Sequence, residues 1–482
     1  MSDTFKHGIY TEELSTQLTP LINVASPTVV VGTAPLHMAS DPAPINTPVL
    51  CQSYSEFVRY FGYSSDFASY TLCEAAQVFF QLYNVSPLIV INVLDPATHK
   101  VAGTKSVSGL SNPVEIDEPI ILSSLVVKSG SGQSETTLIK DTDYTAAYNS
   151  ADKVVLTILS ANKITGDTAA LTYDKVNASG VTATDIIGGV DLTTGKNTGL
   201  EAVEDVYPRL GLIPSTIIAP KWSTNSAVAA VMAAKCRDIN GCFKAICAVD
   251  IDSGTVRKIN DCNSAKNTNN LTDAFEIVCY PKVSLDGVRY NLSTHVAVLM
   301  NRVDADNSDI PYQSPSNQSL SIDMSCLADG TELTLSKANA NYLNGLGITT
   351  ALNFAGGWRA WGNRTGTFPT VTDPKDSFIP VRRMFNWIAN NIVVNFWQKI
   401  DMPITRRNVE SVTDSINQWL SGLTARGAIV AGACYLLEEL NPVADLAVGK
   451  IVFSLSITPP PPAEQIQFTL QYDAQALSSI FA

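Results

Sequence analysis

Four histidines, His7, His37, His99 and His295, are the first residues to test for chemistry, because imidazole binds transition metals and moves protons near neutral pH. None stands three or four positions from another, so no single helix turn presents two of them to one zinc ion. Asp304, Asp306 and Asp309 hint at a cation loop. Glycine is missing from its sixth position, however, and Pro315 stands where the twelfth-position glutamate belongs, so they read as a solvated acidic turn. No Gly-x-Ser-x-Gly elbow and no Gly-x-x-x-x-Gly-Lys-Ser/Thr loop is present, and Gly32-Thr33 and Gly345-Leu346-Gly347 read as plain turns. The segment Gly356-Gly357-Trp358-Arg359-Ala360-Trp361-Gly362-Asn363-Arg364 fits a sugar platform, or, more commonly, a tight loop that plugs aromatic rings into a core. Two arginine pairs, Arg382-Arg383 and Arg406-Arg407, sit at helix entrances and read as solvated faces or as docking points for an acidic partner. The sequence thus predicts no catalytic, cofactor or metal site.

Composition narrows the remaining classes. The chain has 482 residues, 45% apolar and 16% charged, with a net charge of -13, which argues against the basic footprint of a nucleic-acid binder. The opening stretch from Met1 to Tyr10 lacks the apolar core of a secretory signal, and no apolar run approaches the ~18 residues that span a bilayer. A soluble protein made in a cytosol is expected. Nine cysteines without a Cys-x-x-Cys pair read as reduced, mostly buried thiols.

The elements that would position any site alternate in type. A β-branched strand at 28–31 precedes two helices opened by Ser53-x-x-Glu56 and Thr71-x-x-Glu74, and an all-apolar strand follows at 88–94. Composition shifts to Ser, Gly, Thr and Asp near residue 100, with strand-like runs at 120–127, 153–159 and 170–173. The α/β pattern resumes with strands at 216–219, 242–249 and 295–300 and a helix at 223–239. Two helices then follow, one through Phe385, Trp387, Ile388, Ile392 and Phe396, the other striped by Val409, Val412, Ile416, Trp419 and Leu423. The fold class expected is a mixed α+β and α/β multidomain chain. It has an N-terminal arm (1–25), a discontinuous α/β core (26–99 plus 190–372), an inserted all-β domain (100–189) and a C-terminal α+β domain (373–457). A polyproline linker with a strand for donation (458–482) completes it.

That last segment carries the clearest pattern. Ile451, Phe453, Leu455 and Ile457 alternate with polar or smaller residues, and so do Ile466, Phe468, Leu470 and Tyr472. Between them stand Pro459, Pro460, Pro461 and Pro462, which lack backbone donors and rule out a tight hairpin. A lone amphipathic strand on a stiff spacer must find a sheet edge, in its own chain or in a neighbour. Ile9 and Tyr10 mark a second short extended patch at the other end.

An ordered set of segments carries a family resemblance: His7-Gly8-Ile9-Tyr10-Thr11-Glu12-Glu13, Val30-Val31-Gly32-Thr33-Ala34-Pro35, Asn46-Thr47-Pro48-Val49-Leu50 and Asp185-Ile186-Ile187-Gly188-Gly189. The Trp358-to-Arg364 segment and Pro459-to-Ile466 complete the set. In these the chain resembles contractile tail sheath proteins of bacteriophages and of phage-tail-like particles. The resemblance implies a structural subunit without a cofactor, stacked as six-fold rings around an inner tube and compressed on firing. It also implies contacts with the tube, baseplate and tail terminator proteins, with no nucleic acid or membrane partner, and assembly in the host cytoplasm before incorporation in a tail. The terminal arms would complete sheets in adjacent subunits, and the domain nearest the tube would be the C-terminal one, with Arg406 and Arg407 as tube contacts. The rival classes are a nucleotide-using α/β enzyme, which needs a phosphate loop, and a surface-layer or adhesion protein, which needs an export signal.

Overall fold

The computed structural model describes residues 26–130 and 135–481. They form two compact units, one running from Asn391 to Pro460, the other comprising the residues up to Asn390 together with Pro461 onward. The chain is a mixed α/β protein with several sheets.

The larger unit is built on an eight-stranded sheet in the order Val49–Cys51, Leu88–Asn92, Thr28–Gly32, Thr216–Ile218, Ile246–Asp250, Glu276–Cys279, Ile348–Phe354, Gly357–Trp361. The six inner strands run parallel and the two edges antiparallel. Thr28 pairs with Leu88 on one side and with Thr216 on the other, so strands from before and after residues 100–189 share one sheet. Strands such as Thr28–Gly32 and Leu88–Asn92 are buried at every position, the condition of a parallel strand covered on both faces.

Helices supply that cover. Ser53 caps the helix Tyr54–Phe61 by accepting from the Glu56 amide at 3.3 Å, and Gly62 at φ +71 stops it, as the sequence predicts. The second predicted capping box does not form: Thr71 begins the helix Thr71–Ala76, but its hydroxyl accepts from the Thr33 amide at 3.2 Å. The strand expected at 295–300 is instead the interior of a helix, Leu292–Asp306. All of its first nine residues are buried because the helix lies deep on the sheet, and an apolar run without polar punctuation has no period to tell the two states apart.

Residues 100–176 hold a four-stranded and a three-stranded antiparallel sheet. Their facing side chains, among them Val107, Ile116, Val127, Tyr144, Leu156 and Leu171, make one separate apolar cluster. The return to the main sheet passes the helix Ala183–Ile187, whose Thr182 amide donates to Asp185 at 2.7 Å. Gly188 ends that helix at φ +66, and a Cβ there would come within 1.8 Å of the Thr198 carbonyl oxygen. Only glycine fits that junction.

In the smaller unit the helix Arg406–Ala425 buries Ile416, Leu420 and Leu423. The hairpin Ala431–Tyr435 with Ser454–Thr458 is its only sheet among the described residues. No described helix is long and apolar enough to cross a membrane.

Candidate interaction surface

The residues that looked most chemical are used up in the fold. His295 is buried, its Nδ1 bonds the Tyr83 hydroxyl at 2.9 Å, and desolvation lowers its pKa to about 3. Burial likewise lowers His37 to about 4, with both ring nitrogens covered and unpartnered. His99 Nδ1 accepts from the Asp95 amide at 3.1 Å, while His7 lies outside the described residues. Two buried carboxylates invite an acid–base reading, since desolvation pushes both Glu74 and Asp250 upward. Both, however, cap the start of Leu292–Asp306: Glu74 accepts from the Asn291 amide at 2.7 Å and from the Thr294 hydroxyl at 3.0 Å, and Asp250 accepts from the Ser293 amide at 3.0 Å. Among the described residues no group of three His, Cys, Asp or Glu is placed to hold a metal. All nine cysteines are free, and eight of them are buried.

Two polar readings need correction. Arg382 and Arg383 are neither solvated nor free to dock: they are 8% and 4% exposed and bind Asp376 at 3.0 Å and Asp304 respectively. The acidic turn is corrected with it: Asp304 and Asp306 lie in the last turn of the helix Leu292–Asp306, and only Asp309 is in the turn that follows. Trp358 and Trp361 lie not in a tight loop but on the edge strand Gly357–Trp361, where the Trp358 indole donates to the Asp323 carbonyl at 3.0 Å.

Large exposed apolar side chains occur along the chain, Leu192 and Ile139 among them, but they are densest toward the C-terminus. Ile466, Phe468, Leu470 and Tyr472 are 71%, 85%, 95% and 77% exposed, and residues 459–473 form no strand. The alternation is there, but among the described residues it pairs in no ladder. Ile9 and Tyr10 lie outside the described residues.

The first amphipathic run does form a strand, but only from Ser454. Upstream, the Asn441 side chain takes the place of a strand partner, accepting from the Val452 amide at 2.8 Å and donating to its carbonyl at 2.9 Å. The two-stranded sheet has unequal outer edges. Along Ala431–Tyr435, Asn417 accepts from the Cys434 amide at 2.7 Å and donates to its carbonyl at 2.9 Å, which closes that edge locally. The outer edge of Ser454–Thr458 has no ladder partner among the described residues. Within the same unit a cavity of about 530 Å³ is lined by Ile404, Val409, Tyr435, Leu436, Leu446 and Ile451. Val409 and Ile451 belong to the apolar patterns visible in the sequence, but the helix, strand and loops that bring them together with Ile404, Leu436 and Leu446 are far apart in the chain, and no local pattern announces that meeting. Arg406 is exposed and pairs with Glu410 at 2.7 Å, and Arg407 is exposed beside it.

Comparison with known proteins points one way. The family model for the phage tail sheath C-terminal domain matches residues 371–473. The tail sheath protein of Burkholderia phage BcepMu is 31% identical over 506 residues, covering 100% of this chain and 99% of that protein. A putative prophage major tail sheath protein of Pseudomonas aeruginosa is 27% identical over 347 residues, or 70% of this chain and 81% of its own length. The sheath complex of the extracellular contractile injection system PVC, solved in the contracted state, superposes with a TM-score of 0.59 at 14% identity, covering 99% of this chain and 100% of that one. The contracted helical sheath of the anti-feeding prophage gives 0.56 at 15% identity, covering 98% and 100%. At these identities the structural likeness is one of fold.

Proposed function

We propose a mode of assembly from one premise: this chain belongs to the tail sheath protein family, whose members are structural proteins and not enzymes. Copies stack as six-fold rings into a helical sheath around an inner tube, with baseplate and terminator proteins at its ends. Compression of the rings drives the tube through an envelope. The subunit forms in the host cytoplasm and ends in a phage tail or phage-tail-like particle.

Residues 26–99 with 190–372 serve as the α/β core, 100–189 as an insertion upon it, and 373–457 as the domain nearest the tube, with Arg406 and Arg407 facing the tube. Residues 458–482 are an arm. Its apolar row, Ile466, Phe468, Leu470 and Tyr472, adds to the open outer edge of Ser454–Thr458 in the next subunit, alongside the N-terminal arm with Ile9 and Tyr10. The observation that carries this reading is the exposure of all four alternating side chains in a protomer whose own small sheet keeps an open edge. Strand addition provides main-chain hydrogen bonds that outlast rotation of rigid subunits, which suits a lattice that changes shape without coming apart.

Deleting residues 459–482 tests the reading. The truncated chain is expected to remain folded by circular dichroism and to stay monomeric at concentrations where the full chain forms cylinders in negative stain. Cylinders from truncated protein would remove the arm as the link.

A further inference from the structure

We propose that Arg364 and Glu464 form a latch that fixes the point at which the C-terminal arm leaves its own subunit, and hence the length of arm offered to a neighbour. The proposal rests on the reading of residues 466–472 as a donated strand and adds a device that sets its reach.

Arg364 is a prepared socket. Its guanidinium carbon lies 3.7 Å from the centre of the Phe378 ring and 4.5 Å from that of Phe368, and its Nη1 donates to Ser377 Oγ at 3.0 Å. Its backbone is fixed as well: the Thr365 amide donates to the Ser377 carbonyl at 3.0 Å and the Thr365 hydroxyl to the Asp376 carbonyl at 2.6 Å. A guanidinium held in this way loses little freedom on meeting a carboxylate. Its two remaining nitrogens face Glu464, Nε at 3.0 and 3.1 Å from the two carboxylate oxygens and Nη2 at 2.6 Å from Oε2. The fork-to-fork geometry is the directional kind of ion pair.

The tail around Glu464 is otherwise loosely seated. A cavity of about 910 Å³ lies beside it, lined by Leu352, Phe354, Trp361 and Phe368 together with Pro462 and Ile466 of the tail. With little close packing to replace it, the charged pair is the main point of attachment. The side chains are 17% and 33% exposed, open enough for salt to weaken the pair. Closed, the latch leaves the free arm to start at Gln465. Open, it releases residues 461–464 as well, since Pro459 is buried and the smaller unit runs to Pro460, adding roughly 12 Å at about 3.1 Å per residue for a proline-rich segment. A longer tether lowers the effective concentration of the strand at its intended edge and brings other edges within reach.

The test uses dilute full-length protein with spin labels on Asn341→Cys and Gln471→Cys, and with Cys242→Ser removing the one native thiol that is not buried. With residues 465–470 between latch and label, a distance distribution bounded by that short tether is expected at low salt, broadening to longer distances in Glu464→Gln and in high salt. Arg364→Lys, which keeps the charge but loses the stacked fork, should fall between. Glu464 is carried on the exposed tail, so Glu464→Gln leaves the fold intact. Equal widths for the parent and Glu464→Gln would overturn the latch. The measurement needs no polymer, so it fails or succeeds independently of the truncation that tests strand donation.

Discussion

Burial holds His37 neutral where the short turn Leu36–Met38 meets the strand Tyr144–Tyr148, its ring lying 5.6 Å from that of Tyr148 and 6.1 Å from that of Tyr70. The folded protein resists protonating this imidazole until about pH 4, whereas the unfolded chain takes up the proton near 6.5. Its folded pKa is thus depressed, so stability is complete above 6.5 and is lost as pH falls toward 4. His37→Leu removes that proton. Urea denaturation should show the variant gaining about 3 kcal/mol on the parent across this window. His295, with the same sign, and Glu74 and Asp250, with the opposite sign, are common to both proteins and cancel. A gap that does not change with pH would mean that the ring is not held neutral. At this scale the sequence revealed types but not pairings. Arg383 and Asp304 are seventy-nine positions apart, and nothing local to either announces that each neutralises the other in the interior.

Helix dipoles favour acidic residues in the first turn, yet Arg406-Arg407 opens the helix Arg406–Ala425, where their charge is unfavourable for the helix itself. Glu410 offsets Arg406 one turn on, and the tube contact proposed above would give both exposed arginines a partner. Changing both to glutamine should leave the melting temperature unchanged or slightly raised, while lowering co-assembly with the inner tube protein in a sedimentation assay. Undiminished co-sedimentation would strike this pair from the tube-facing surface. Elements with their own punctuation were legible beforehand: Ser53 and Gly62 bracket one helix, and the stripe of Ile416 and Leu423 belongs to another. Where punctuation is absent the reading failed, as for residues 295–300, whose apolar run gives no period. The arm is intermediate, since its alternation was plain but a strand requires a partner, and none is present among the described residues.

Assembly of whole molecules turns on parity. If residues 466–472 enter a neighbour's sheet, successive side chains face opposite sides, so only one set meets apolar surface. Phe468→Asp loses burial worth up to about 3 kcal/mol and should raise the concentration needed for cylinders by up to about a hundredfold. Thr469→Asp, one position along the same exposed tail, changes charge equally but points to the other face. It should stay within about fivefold, the usual span of strand preference. Neither change touches a contact within the protomer, since both residues are exposed and unpaired by any ladder there, so a difference between them can arise only in the polymer. Light-scattering titrations of the two variants would reveal it. Equal weakening would mean that the tail binds as an undirected hydrophobic tether, and the ring-to-ring connection would then have to be sought at the cavity lined by Ile404 and Leu446.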